Sequence, residues 1–323
     1  MKITIKFEFH LHISKSDGGH VEKKADETTV TAFLTMAEKE VEKQKRMKRD
    51  STIENYRTAL RSLRRYIIET RPPEDIGTDL MEGFEHWMRS RRLRLNTVSC
   101  YMRSLRSLAT KVMGEEARAF FSKSFTGSEK TQKRAIEPKH ISKLQELKLK
   151  PGSALSLTRD LFLFSFYALG MPFVDMAQLR MQQINDHEIV YSRQKTGQRI
   201  CVPLEPCLRV IINRYQQADS DYVFPMLRSS ATPTHQTYLN ALRRYNRNLK
   251  QLAKMSHISI DITSYVARHS WASSAFRENV GLSLISKALG HSNPQNTLTY
   301  IRQINDTGLR KASRSVIKSI SKT

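Results

Sequence analysis

Ser264-Tyr-Val-Ala-Arg-His-Ser-Trp-Ala272, Ala288-Leu-Gly-His291 and Thr297-Leu-Thr-Tyr-Ile301 follow one another near the end of the chain. Between them they carry two phenols, a guanidinium and two imidazoles in a stretch otherwise built for packing. Trp271, Phe276, Leu284, Ile285 and Leu289 are apolar and read as core. Arg268, His291 and Tyr300 stand out as the groups with chemistry to offer, and nine positions separate His291 from Tyr300. Each also has a plain alternative. Tyr300, between Leu298 and Ile301, fits a packed helix tyrosine. His291 follows Gly290 and fits a helix end, and Arg268 fits a pair with a carboxylate such as Asp261.

Upstream, the pattern changes twice. Ile189-Val-Tyr191 and Ile200-Cys-Val202 are rich in strand-forming residues and flank Lys195-Thr-Gly197, which predicts a hairpin with glycine in its turn. Helical spacing surrounds it: Pro138 to Leu147, Ser156 to Leu169, and again from His235. A last helix is expected from Leu309 to Ile320.

The first third is predicted as a four-helix bundle. Val30, Phe33, Leu34, Ala37 and Val41 fall on one helical face. Asp50-Ser51 is a candidate N-cap, with Glu54 placed to complete a capping box. Ile53, Tyr56, Leu60, Leu63 and Ile67 form the next stripe, which Pro72-Pro73 ends. Helices about Asp79 to Arg91 and Thr97 to Met113 complete the bundle. Ser122 to Arg134 is polar and basic and predicts a linker. Residues 1–14 alternate apolar and polar side chains with the period of a strand.

The fold expected is therefore mainly α: a short N-terminal strand or arm (1–27), a helical bundle (28–121), a linker (122–136) and a mixed α+β domain (137–323) with a small β-hairpin and a tail helix. With only the arm ahead of the first helix, no separate N-terminal domain is expected.

Composition narrows the function. In 323 residues, 54 Lys+Arg against 31 Asp+Glu leave a formal net charge of +23. A protein so basic points to a polyanion, with nucleic acid first. Lys45, Arg46, Lys48 and Arg49 of the basic run, with Arg57, Arg61, Arg64 and Arg103 of the bundle, are the candidate phosphate contacts. Three cysteines (Cys100, Cys201, Cys207) form no disulfide framework and no zinc pattern, so no metal is expected. The longest apolar run, Leu161 to Leu169, is far short of the ~20 residues a membrane span needs. No secretory pattern opens the chain, and a reducing bacterial cytoplasm is expected.

Taken in order, these motifs resemble the tyrosine recombinase, or phage integrase, family. Arg268-His-Ser-Trp-Ala272 is similar to its Arg-His-Thr-Phe-Ala stretch, Leu289-Gly-His291 with Tyr300 to its Leu-Gly-His…Tyr motif, and Gln194-Lys-Thr-Gly197 to its β-hairpin lysine motif. The resemblance runs from about residue 28 to the end. It implies a DNA-clamping bundle and a catalytic domain that cuts and rejoins DNA through a 3′-phosphotyrosine. Tyr300 would be the nucleophile, Arg268 a phosphate-binding arginine, Lys195 the general acid and His291 a phosphate ligand that orients Tyr300. Neither a metal nor ATP is implied. The implied partners are double-stranded DNA sites, a homo-tetramer on that DNA and an accessory DNA-bending protein. Integration, excision and inversion are the reactions implied.

The chemistry is coherent on its own terms. A phenol attacking a phosphodiester builds charge on the non-bridging oxygens, which Arg and His donors stabilise. A lysine on a hairpin can protonate the leaving hydroxyl.

Two positions depart from the family pattern. Gly170-Met-Pro-Phe-Val-Asp175 places Pro172 where the first of the family's two phosphate-binding arginines stands, as in a branch of mobile-element integrases. Arg159, Arg180, Arg193 and Arg199 are candidate replacements. Tyr265 occupies the position of the family histidine; it or His269 would have to serve instead. These departures support an alternative, a recombinase-fold DNA-binding protein with weakened chemistry. A type IB topoisomerase is a further reading, against which the Leu-Gly-His motif argues.

Overall fold

The computed structural model describes residues 29–45, 50–72, 74–129, 135–228, 233–291 and 295–298. The predicted strand at 1–14, Arg46, Lys48, Arg49, Tyr300 and the tail helix lie outside them. The chain divides into two compact units on either side of Lys130.

The first unit is the helical bundle: α1 (Val30–Gln44), α2 (Asp50–Thr70), α3 (Thr78–Ser90) and α4 (Leu95–Met113). The predicted α1 stripe is buried. Thr29 caps this helix, its hydroxyl accepting from the Ala32 amide at 3.2 Å. Along α2, Ile53, Tyr56, Leu60 and Leu63 are buried and Ile67 packs against the same core. Asp50 lies inside the first turn of α2 rather than ahead of it. There its carboxylate favours the positive end of the helix dipole.

Residues 122–129 are tied to this unit. The Phe125 amide donates to Glu85 Oε2 at 2.7 Å, the Ser99 hydroxyl to Gly127 O at 2.5 Å, and the Glu129 amide to Asn96 Oδ1 at 2.8 Å. Polar residues on α3 and α4 thus supply partners to a stretch that composition alone marks as a linker.

The second unit contains α5 (Pro138–Gln145), α6 (Ala154–Tyr167), α7 (Phe173–Ala177), the strands β1 (Glu188–Ser192) and β2 (Arg199–Pro203), α8 (Pro206–Tyr215), α9 (His235–Met255), α10 (Val266–Arg277), α11 (Leu282–Leu289) and α12 (Gln295–Leu298). β1 and β2 pair antiparallel from Glu188↔Pro203 to Ser192↔Arg199. Ile189, Tyr191, Ile200 and Val202 face the core, and Gly197 turns the hairpin at φ +71°. The central helix α6 is buried on most of its surface, with Phe164 set edge-on to Phe224. Ile285 and Leu289 of α11 pack with Trp271 and Phe276. Leu284 corrects the core expectation: it is 61% exposed. A step of one residue turns it about 100° away from Ile285, out of the buried stripe.

Candidate active site

The second unit brings four separate segments to one point. The first is the exit of α6. Leu169 and Gly170 both take positive φ (+55° and +74°), and this double left-handed turn lets the chain reverse into Pro172 and α7. Pro172 itself is the buried N-cap of α7 and has no charge to offer. A Cβ on Gly170 would sit 2.9 Å from Arg268 Cα, so the two backbones meet where only glycine fits.

That contact places Arg268, in the first turn of α10, deep in the unit at 2% exposure. Its Nη1 donates to Gly170 O at 2.9 Å, and its Nη2 donates to Leu289 O at 2.5 Å and lies 3.2 Å from His291 Nε2.

Leu289 ends α11, and Gly290 closes that helix in the left-handed conformation at φ +64°. Helix ends leave carbonyls unpartnered and carry partial negative charge, which cations satisfy. Two do so here. Arg193 Nη1 also donates to Leu289 O.

Arg193 follows β1 and is 5% exposed. Its Nε lies 2.7 Å from Asp175 Oδ2, and the other carboxylate oxygen accepts from the Gln194 amide at 2.8 Å. Asp175 on α7 thus fixes the start of the hairpin turn that carries Lys195, whose side chain is exposed. Gly290 again admits no side chain: a Cβ would lie 3.1 Å from Arg193 Cγ and 2.9 Å from Ile200 Cδ1.

The four arginines raised by the sequence separate clearly. Arg159 bonds Asp160 and Leu147 O, Arg180 bonds Asp221 and stacks on Tyr222, and Arg199 is exposed at the start of β2. Arg193 alone of the four shares a partner with Arg268.

His291 is bracketed. Nε2 faces the Arg268 guanidinium, and Nδ1 lies 2.9 Å from Thr297 Oγ1 on α12. A guanidinium only donates, so Nε2 must be the unprotonated nitrogen and Nδ1–H must donate to Thr297. Burial, then the Arg268, Arg193 and Lys195 cations, push His291 down to about 4, so it is neutral at neutral pH.

The linkage has a definite sign. The unfolded chain takes up the proton first, so the stabilisation is full above 6.5 and is lost as pH falls toward about 4. Denaturant melts across that range should show this loss in the wild type, and His291→Asn should flatten it. An unchanged slope would count against the neutral, bracketed imidazole.

Tyr265 caps α10 one turn before Arg268, is 44% exposed, and holds its ring 6.1 Å from that of His269. Sequence reasoning passed over Thr297 and the Leu289 carbonyl. The first is an unremarkable threonine, and the second is a backbone atom that no side-chain pattern reveals.

On the bundle, Arg64 pairs with Glu38 at 2.6 Å, Arg57 with Glu42, and Arg61 lies 3.6 Å from Glu54. Lys45 Nζ is 3.8 Å from Glu42, and Arg103 is exposed with its Nε on Ser99 O at 3.3 Å. Exposed pairs of this kind are worth about 0–1 kcal/mol, so a polyanion can displace them. Among the described residues no group of three or more His, Cys, Asp or Glu could hold a metal ion, and no helix is long and apolar enough to cross a membrane.

Comparison with known proteins gives one consistent answer. A family model described as the phage integrase family matches residues 135–306, and one described as a phage integrase SAM-like domain matches residues 32–117. A tyrosine recombinase XerC from Roseiflexus sp. (strain RS-1) is 24% identical over 262 residues, covering 77% of this chain and 82% of the relative. Among solved structures, a lambda integrase dimer bound to a COC′ core site superposes with a TM-score of 0.66 at 14% identity, over 86% of this chain and 96% of that one. The Tn1549 transposon integrase in complex with transposon right end DNA gives 0.60 at 12% identity, over 88% and 99%.

Proposed function

Since the chain belongs to the phage integrase family, we infer that it is a site-specific DNA recombinase that breaks and reseals DNA through a covalent bond to Tyr300. The observation that carries this is the convergence of Arg268, Arg193 and His291 around the end of α11, with His291 nine residues before that tyrosine.

The chemistry follows from the groups. The Tyr300 phenol loses its proton and its oxygen attacks the scissile phosphorus. The bond from phosphorus to the 5′ oxygen of the next nucleotide breaks, and a 3′-phosphotyrosine forms. The departing oxygen needs a proton, which Lys195, exposed on the hairpin turn, is placed to give. The reverse attack by a 5′-hydroxyl from another strand reseals the DNA and releases Tyr300. Bond energy is kept in the phosphotyrosine, so no nucleotide cofactor is required.

Arg268 faces the developing phosphate charge. Neutral His291 accepts a proton or hydrogen bond at Nε2, with Thr297 holding its tautomer. Tyr265, at the exposed start of α10, is the hydroxyl nearest in sequence to Arg268 that can reach phosphate from solvent. Lys45, Arg46, Lys48, Arg49, Arg57, Arg61, Arg64 and Arg103 are proposed to bind the DNA backbone. The lambda integrase structures include a dimer on a core site and a tetramer on a Holliday junction. A tetramer on two DNA sites is accordingly proposed here, with a DNA-bending accessory protein as a further partner. The mobile-element branch is proposed for the chain, a reading supported by the Gly-Met-Pro-Phe-Val-Asp segment at 170–175.

A nicked suicide substrate tests it. Wild-type protein should trap as a covalent protein–DNA adduct and Tyr300→Phe should give none. An adduct that persists in Tyr300→Phe would overturn the assignment, and specific binding with no wild-type adduct would favour a DNA-binding protein with lost chemistry.

A further inference from the structure

We propose that Asn246 and Ser270 are positioning residues, which seat the first turn of α10 from two sides and so set where Tyr265 and Arg268 meet the scissile phosphate. This deepens the recombinase reading above and rests on it.

Tyr265 and Arg268 stand one turn apart at the start of α10. At a reacting centre a displacement of about 1 Å can cost on the order of 10²-fold in rate. Apolar packing gives that turn little to hold it. Beside Arg268, the buried residues of the helix are Val266, two alanines (Ala267 and Ala272) and two serines (Ser270 and Ser273). Side chains of that size bury little apolar area. Trp271 and Phe276, the large residues of the helix, pack beyond its first turn.

Two side chains supply the hold. Ahead of the helix, Asn246 Oδ1 on α9 accepts from the Ser264 amide at 2.8 Å, immediately before Tyr265. Within the helix, the buried Ser270 hydroxyl works in both directions. It donates to Val266 O at 2.8 Å and accepts from the Ile136 amide at 2.9 Å. Ile136 is itself 2% exposed and belongs to the core of the second unit. Val266 lies two residues before Arg268 and Ser270 two after it, so this tie brackets the arginine. Hydrogen bonds fix direction as well as distance, which contacts between small side chains do not. With its hydroxyl engaged and shut off from solvent, Ser270 acts through α10 and not on the phosphate.

The alternative is that both residues only stabilise the fold. Rate, affinity and stability measured together separate the two. Single-turnover adduct formation on saturating nicked substrate, affinity for an intact site and melting temperature are compared for wild type, Ser270→Ala, Ser270→Thr, Asn246→Leu and Gly152→Ala. Gly152→Ala is the stability control: φ is +73° ahead of α6, with nothing within 4 Å of the added Cβ. Rates are taken at a temperature where every variant compared is folded.

Ser270→Ala and Asn246→Leu should slow adduct formation by roughly 10- to 100-fold. Affinity should stay within about twofold, because backbone contacts elsewhere dominate it. Ser270→Thr keeps the hydroxyl and should recover most of the rate. Gly152→Ala should melt lower yet react at the wild-type rate. Wild-type rates in Ser270→Ala and Asn246→Leu would overturn the proposal. So would a Ser270→Thr no faster than Ser270→Ala, or a slowing that Gly152→Ala shares in proportion to its lost stability. Should Ser270→Ala fail to fold, Asn246→Leu at its half-buried site on α9 decides alone, and a wild-type rate there would overturn the proposal. Absence of any adduct with wild-type protein is the separate failure of the recombinase reading.

Discussion

Arg268→Gln should slow covalent adduct formation by about 10²–10³-fold in single turnover, the scale expected for a preorganised donor aimed at developing phosphate charge. The same change should weaken binding of an intact site far less, because backbone contacts elsewhere dominate affinity. The shorter amide cannot span from α10 to Gly170 O, Leu289 O and His291 together. Leu289 O keeps the Arg193 donor, so the orphaned group is Gly170 O, at a cost of about 1–3 kcal/mol. Rate and melting temperature measured on one preparation separate the two effects. A variant that melts several degrees lower yet forms adduct at the wild-type rate would place Arg268 in the scaffold and not at the phosphate.

The second large effect is on stability. Gly170→Ala adds a Cβ 2.9 Å from Arg268 Cα at a residue with φ +74°. The left-handed conformation costs an L-residue about 1–2 kcal/mol. The contact adds about 1–3 kcal/mol, because its neighbour is backbone and cannot swing aside. Gly152 provides the control: φ is +73° and nothing lies within 4 Å of its Cβ. Gly152→Ala should therefore show the conformational cost alone, and Gly170→Ala a loss larger by the contact. Chemical denaturation of the two variants reads the difference. Equal losses would mean that the approach of α10 to the α6 exit is not a tight one.

Why some features were legible and others not follows from the range of the interactions. The buried stripes of α1 and α2 are local, since period 3.6 is written in Val30, Phe33, Leu34, Ala37 and Val41 and in Ile53, Tyr56, Leu60 and Leu63. The hairpin was legible from alternation and Gly197, and the β1–β2 register follows from that turn. Leu284 was misread because its neighbours at 285 and 289 define the face and a one-residue step leaves it.

Arg193 could not be told from Arg159, Arg180 and Arg199 by composition or spacing. What distinguishes it is Asp175 from another helix and a carbonyl 96 residues away. Likewise the polar run after Ser122 gave no sign of Asn96 and Glu85, which tether it. Long-range partners of this kind are chosen by the fold, so the side chains involved look ordinary in the sequence.

The most direct measurement is the point of attachment between protein and DNA. The adduct trapped on a nicked suicide substrate is digested with protease and nuclease, and the modified peptide is fragmented in a mass spectrometer. A 3′-linked nucleotide phosphate on the phenolic oxygen of Tyr300 is the predicted result. Attachment at any other side chain, or through a 5′-phosphate, would contradict the assignment of Tyr300 as the nucleophile.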